Sequence, residues 1–278
     1  MSVYELICDQ QRIWATQRGI KFDDEGYTLN LNDNLFLPLS TEVEMEFRKG
    51  KGDELGAESK KAKLQALHSS SALVVNVFGY WRTRNIDRLA KACGISKGMT
   101  ELKFEQTHPT PLGGIPPHLD VEFHGVGLKP VAIECKFTET YRLHLKRRMK
   151  PSYYTSKSLW SELPACHKLV GRIHKEEIGR SSFNYLDVPQ LLKHILGLTT
   201  EFGATGFELI YLWYEVPSQE AKRHRYELDK FKKAICDDIR FRDITYQELF
   251  GNLMRCNDAS KSYLSYIGER YFPSLAEH

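Results

Sequence analysis

The sequence predicts an α/β protein with a mixed central sheet flanked by helices, and three observations carry that prediction. Residues 118–124, His118-Leu119-Asp120-Val121-Glu122-Phe123-His124, and residues 131–136, Val131-Ala132-Ile133-Glu134-Cys135-Lys136, read as two neighbouring strands. Asp187-Val188-Pro189 reads as a helix start, with the aspartate as cap and the proline in the first turn, and Leu191, Leu192, Ile195 and Leu196 then form one apolar stripe. The run Phe207-Glu208-Leu209-Ile210-Tyr211-Leu212-Trp213-Tyr214 that follows is strongly strand-like.

Taken in order, residues 1–50 read as an N-terminal elaboration containing some strand, including the alternating Glu42-Val43-Glu44-Met45-Glu46-Phe47. A glycine-rich hinge, Gly50-Lys51-Gly52-Asp53, leads to Glu54, and Ser69-Ser70-Ser71 caps a buried helix through Ala72, Leu73, Val74, Val75, Val77 and Phe78 to about Tyr80. Thr100 to Thr107 alternates as the first core strand. Residues 218–239 read as a charged amphipathic helix with apolar positions at Tyr226, Leu228, Phe231, Ile235 and Ile239. A strand and helix around Ile244 to Phe250 and a last aromatic helix reaching Tyr271 follow. The expected organisation is an elaboration over 1–50 and one domain over 51–278, with a basic helical insertion at about 141–186.

Side chains of an extended strand alternate between faces. Glu134 and Lys136 therefore share one face, while Val131, Ile133, Cys135 and Phe137 fill the other. On the preceding strand Leu119, Val121 and Phe123 form the buried side, and His118, Asp120, Glu122 and His124 lie opposite. If Gly125 to Pro130 turns the chain back, the polar faces meet and Asp120 approaches Glu134 and Lys136. Two carboxylates and an ammonium suit phosphodiester chemistry. A hard cation such as Mg²⁺ takes one or two protein carboxylates and fills its octahedron with water and phosphate oxygens. A neighbouring lysine can orient the attacking water or stabilise the charge developing in the transition state. A Glu-x-Lys triplet alone is common, and on an exposed strand it is a solvated pair worth little. The buried strand ahead of Glu134 sets this one apart.

Pro117-His118-Leu119-Asp120 followed by Glu134-Cys135-Lys136 resembles the PD-(D/E)XK nuclease superfamily, the restriction-endonuclease-like fold. The resemblance implies that Asp120 and Glu134 bind Mg²⁺, or Mn²⁺ in its place, helped by the main-chain carbonyl of Cys135, and that Lys136 serves catalysis. It also implies in-line attack by water, leaving a 5′-phosphate and a 3′-hydroxyl. The superfamily's order of helix, three strands, helix and strand is met over residues 69–216. In the superfamily the proline normally precedes the aspartate directly, whereas Pro117 and Pro116 stand earlier here. The resemblance further implies a polar residue from the second helix, for which Gln190 is the candidate and an ordinary surface glutamine the other reading. His194 on that helix reads as solvated or locally hydrogen-bonded. A further acidic residue is implied near the first helix. Glu54 is the choice, with Glu58 and Glu105 as alternatives, and a helix-start carboxylate favoured by the dipole remains the bland reading of Glu54.

The 278 residues, 41% of them hydrophobic, suffice for one enzyme-sized core without a membrane-length apolar run or a secretory leader. Six cysteines without CxxC spacing suggest neither a disulfide framework nor a zinc ribbon, and a reducing cytoplasmic setting is expected. The net charge is only +3, yet residues 141–180 carry ten Lys or Arg against three Glu. Arg142, Lys146, Arg147, Arg148 and Lys150 are the densest part, suited to neutralising phosphates, with a solvated helix face as the alternative. The expected function is Mg²⁺-dependent hydrolysis of double-stranded DNA, of a restriction or defence type, with a homodimer as a plausible assembly. Two other readings stay open: a nucleic-acid-binding module that keeps the fold without cutting, and an enzyme acting on a small phosphoester.

Overall fold

A computed structural model describes residues 1–50, 52–57, 60–144, 149–176, 182–255 and 258–273. Helices α1 (Val3–Gln17), α2 (Thr41–Lys49), α3 (Ser70–Phe78) and α4 (Ile86–Ala92) precede strands β1 (Glu101–Thr107), β2 (His118–His124) and β3 (Val131–Lys136). Helices α5 (Ser152–Thr155) and α6 (Pro164–Lys175) lie in the basic segment. They are followed by α7 (Val188–Phe202), β4 (Glu208–Trp213), α8 (Gln219–Ile235), β5 (Arg240–Thr245), α9 (Tyr246–Met254) and α10 (Lys261–Tyr271).

The strands form one mixed sheet in the order β1-β2-β3-β4-β5. The first three are antiparallel to one another, and β4 and β5 continue parallel to β3. The β2–β3 reversal passes close to Gly98, whose carbonyl oxygen would lie 2.4 Å from a Cβ on Gly125, so only glycine fits there. Parallel neighbours need crossovers, and α7 and α8 supply them. Both crossovers cover the same face. Glu134 pairs with Tyr211 and Lys136 with Trp213, and both rings lie against His224 of α8, while His194 of α7 reaches Glu134. The opposite face carries Leu119, Val121, Phe123, Ile133 and Cys135, all buried. There Phe78 of α3 meets Phe123, and Phe137 meets Tyr271 of α10.

Segment 42–47 is a helix and not a strand. The Ser40 hydroxyl accepts the Val43 N–H, Glu42 and Glu44 lie in the first turn, and Arg48 and Lys49 lie in the last, as the helix dipole favours. Val43 and Phe47, four apart, are buried whereas Met45 is 52% exposed, so the burial follows the helical and not the strand period. Helix α2 also protects the sheet edge, because Glu46 accepts the N–H of Phe104 on β1 (3.0 Å) and pairs with Arg82. On α8, Tyr226 is exposed and does not join the apolar face. Glu227 turns inward instead and accepts the N–H groups of Asn184, Tyr185 and Leu186 at 2.8 Å each, holding the loop that leads into α7.

The N-terminal segment shares the core. Ile7, Leu35, Val43 and Phe47 belong to the same buried cluster as the sheet. Arg270 of α10 is fully buried and donates to Gln11 Oε1 (3.0 Å), to the Asn34 carbonyl (2.8 Å) and side chain (2.5 Å), to the Leu67 carbonyl (3.3 Å) and to Tyr266 (2.7 Å). Its guanidinium also lies 4.4 Å from the ring centre of Trp14. The charge is thus dispersed over carbonyls and an aromatic face.

Candidate active site

Strands β2 and β3 keep a regular ladder as far as Val121 opposite Ile133, and Asp120 and Glu134 follow where the ladder ends. There the Asp120 carboxylate, and not strand backbone, accepts the N–H of Cys135 (2.6 Å). Glu134 is buried and pairs with the ammonium of Lys136, itself only 13% exposed. All three line one cavity of about 550 Å³. Because the cavity floor is strand and not loop, these groups sit on rigid supports.

The electrostatics follow from crowding. Burial, and then the charge of Glu134, push the Asp120 carboxyl well above the usual carboxylate range, with Lys136 and the Cys135 N–H pulling the other way. Burial works against the Lys136 ammonium, but Glu134, Glu139 and Asp120 outweigh it and hold it charged. Glu105 stands in β1 between the pairs Phe104–Val121 and Gln106–Leu119, hence opposite Asp120. At φ 51° it is the non-glycine residue that the described backbone holds in the left-handed region, a conformation that costs energy and clusters at functional sites. Its carboxyl is raised by burial, with Glu54 and Glu134 adding and His118 opposing.

Glu54, on the loop after the glycines, lines the same cavity, held by the Ser71 hydroxyl (2.7 Å) and Lys63 (3.2 Å). It therefore serves the first turn of α3 and faces the two strand carboxylates at once. Gln190 lines the cavity as well, its N–H donated to the capping Asp187. Arg142 reaches the cavity wall with its guanidinium 4.0 Å over the ring of Tyr4. Lys150 lies outside this cavity, and Lys146, Arg147, Arg148 and Glu58 lie outside the described residues. The carbonyl of Cys135 accepts from the Ser70 hydroxyl at 3.4 Å.

His194 corrects the sequence reading. It is 1% exposed, and its Nε2 lies 3.2 Å from Glu134 Oε2, within ion-pair distance although off the line of a good hydrogen bond. Burial, followed by the positive charge of Lys136, keeps the imidazole neutral, its pKa well below the ordinary value. The signal was its spacing from Gln190 on one face of α7. Gly197, one turn further, lets that helix touch the chain before β2, since a Cβ there would sit 2.3 Å from the carbonyl oxygen of His108.

Beyond the cavity, Glu122 on β2 is buried between His108 and His124, and His108 also bonds Glu201 of α7 at 2.7 Å. Burial raises the Glu122 carboxyl, but the two histidines more than offset it and hold it below its ordinary 4.5. Burial likewise opposes the charge on His108, yet Glu122 and Glu201 hold its imidazolium above the ordinary 6.5. The lowered acid contributes stability above 4.5 that is lost as pH falls through its folded value. The raised base contributes stability that is complete below 6.5 and lost as pH rises through its folded value. Urea unfolding of the wild type and of His108→Gln should therefore differ most between pH 4.5 and 6.5, with the gap closing towards alkaline pH. A gap that widens above neutrality would mean that the pair is not charged. The comparison with the variant is needed because buried His194 and His224, both held neutral, make acid destabilising on their own.

A family model, REase-ARP, described as Restriction Endonuclease associating with ARP, matches residues 9–272. The chain belongs to the REase-ARP family. No curated protein and no solved structure matches it. Membership in REase-ARP agrees with the mixed five-stranded sheet and its flanking helices, a restriction-endonuclease-like α/β core of the PD-(D/E)XK kind. The REase-ARP match also reaches beyond residues 69–216, taking in most of α1 and all of α10. Among the described residues, no three His, Cys, Asp or Glu side chains are grouped so as to hold a metal ion between them. Among them, too, no helix is long and apolar enough to cross a membrane. The described cysteines, Cys8, Cys93, Cys135, Cys166 and Cys236, are free thiols.

Proposed function

We propose that the chain is a metal-dependent nuclease hydrolysing phosphodiester bonds in double-stranded DNA, with Asp120, Glu134 and Lys136 as its centre. The observation that supports this reading most is the convergence of those three groups in one cavity at the end of the β2–β3 ladder. Mg²⁺ asks for only one or two protein carboxylates. Asp120 and Glu134 meet that need, and the Cys135 carbonyl offers a third hard oxygen. Burial raises the Asp120 carboxyl most and the charge of Glu134 next, and a cation between the two would offset the second of these. A cation held there would supply Lewis acidity and charge neutralisation at the phosphate. Lys136 keeps its proton through Glu134 and is placed to stabilise the charge that develops on the phosphate oxygens. Glu54 and Gln190 border the same space, and the buried imidazole of His194 lies 3.2 Å from Glu134. The restriction character, and an association with ARP, rest on the family's description. The proposal includes a cytoplasmic setting and a homodimer able to reach both strands.

The alternative, a nucleic-acid-binding module that does not cut, is favoured by two observations. Lys136 is seated on Glu134, and no three-residue metal cluster exists among the described residues. Incubating the protein with plasmid, linear DNA and RNA in Mg²⁺, Mn²⁺ or EDTA separates the two: metal-dependent nicks support the nuclease, and retention without cleavage supports the module.

The basic segment gives a second expectation. Replacing Arg147, Arg148 and Lys150 with alanine should weaken binding at all sequences alike, since phosphate contacts carry no sequence information. If each meets a phosphate, the slope of log affinity against log salt should fall by about 2.7. An unchanged slope would make that segment a solvated surface and shift attention to Lys222, Arg223 and Arg225 of α8.

A further inference from the structure

The cavity that holds Asp120 and Glu134 adjoins a second cleft of about 790 Å³, the two sharing His118 and Gln190 in their walls. One wall of the cleft is the loop between β1 and β2, with Leu112, Gly113, Gly114, Ile115 and Pro117. The other is built by Lys150 and Tyr153 at α5 and by Pro189 and Lys193 on the first turns of α7. Lys193 lies 5.7 Å from the ring centre of Tyr153, which ties the short helix to the long one. The carboxylate in this wall, Asp187, is buried and caps α7 by accepting the Gln190 N–H at 3.1 Å. Among the described residues of these walls, Lys150 and Lys193 carry the ammonium groups.

The loop has its own character. Gly113 and Gly114 take φ of 65° and 86° with open space around both, and the two prolines after Ile115 stiffen the return to β2. Ile115 between them is 78% exposed. A single exposed apolar side chain is ordinary, and Val126 at the β2–β3 turn is more exposed still. Ile115 differs in its place, at the mouth of a cationic cleft continuous with the two carboxylates.

We propose that this cleft receives the DNA duplex flanking the scissile phosphate, with Lys150 and Lys193 on backbone phosphates and Ile115 entering a groove as an apolar wedge between base steps. The proposal rests on the phosphodiesterase reading and adds to it the path of the substrate. Ammonium groups on one wall match the charge of the backbone. An inserted aliphatic side chain partly unstacks a step and kinks the duplex. Such a kink beside the centre would open the strand towards Asp120 and Glu134.

The test uses the whole chain in EDTA, so that binding is read without cutting, and a short duplex with 2-aminopurine in place of its adenines. Wild-type protein should raise the fluorescence on binding, and Ile115→Ala should bind within a few fold yet lose the rise. The double variant Lys150→Ala, Lys193→Ala, shown to be folded by circular dichroism, should lower the salt slope by about 1.8. An unchanged slope in the double variant, a fluorescence rise kept by Ile115→Ala, or binding to RNA with none to DNA would each overturn the proposal. Failure of the nuclease reading looks different: wild-type protein would leave plasmid intact in Mg²⁺ and Mn²⁺ while the EDTA measurements still behaved as stated.

Discussion

Asp120→Asn should abolish DNA cleavage and at the same time raise the melting temperature, whereas Glu134→Gln should abolish cleavage and lower it. Burial raises the Asp120 carboxyl most, and repulsion from Glu134 raises it further. Asparagine removes that repulsion and still accepts the Cys135 N–H. The gain should be on the order of 1 kcal/mol, the scale typical when a strained functional group is relieved, which is roughly 2 °C in a chain of this size. Glutamine at 134 can still accept from Lys136 through its amide oxygen, but it withdraws the opposite charge from a largely buried ammonium. Removing one charge of a buried pair costs up to about 3–5 kcal/mol, and Asp120 and Glu139 near the ammonium soften that loss. Lys136→Ala should lose at least about 10²–10³ in rate, the usual effect of removing one preorganised electrostatic contact. Plasmid nicking and thermal unfolding of the same preparations read both quantities. Cleavage by a folded Asp120→Asn would take that residue out of the mechanism, and a lower melting temperature would mean that the carboxylates do not repel.

Arg270→Met should unfold the protein or leave it barely stable, with a loss on the order of 4 kcal/mol or more. The substitution keeps the bulk of the stem but withdraws every guanidinium donor from Gln11, Asn34, Leu67 and Tyr266. Each buried acceptor left without a partner costs about 1–3 kcal/mol, against a total stability of only about 5–15 kcal/mol. Deleting residues 1–50 should be equally damaging, since it leaves the charge of Arg270 buried without Gln11 or Asn34. Circular dichroism and urea titration give the answer: a cooperative Arg270→Met would show that the guanidinium contacts are not needed, and a cooperative deletion variant that the N-terminal segment is dispensable.

The sequence made the sheet legible where period and chemistry agreed, and it singled out three residues of the candidate site that line one cavity. The two-residue period of β2 and β3 put Asp120, Glu134 and Lys136 on the face opposite Val121, Ile133 and Cys135, although β3 is buried on both faces as far as Cys135, and Asp187 with Pro189 marked the start of α7. Segment 42–47 misled because three glutamates in alternation imitate a strand, and only Ser40 and the spacing of Val43 from Phe47 betray the helix. His194 was misplaced because its partner, Glu134, is remote in sequence and a helix face does not say what lies opposite. Glu105 gave no local hint of its left-handed backbone. Glu54 was reached by its position after the glycines, yet its contacts with Ser71 and Lys63 depend on tertiary closure.

The Arg270 contact has a temporal side. Gln11 and Arg270 are 259 residues apart, so a growing chain exposes α1 long before the helix that completes its environment has been made. At roughly 5–20 residues per second, synthesis alone separates the two by tens of seconds. Pairings so distant along the chain also lengthen the search for the native state. During that interval the strands bearing Asp120 and Glu134 exist without their finished surroundings. A truncated product lacking α10 should then be a target for proteolysis and not a smaller working copy. For a chain whose proposed substrate is DNA, late closure would tie the appearance of the centre to the synthesis of α10.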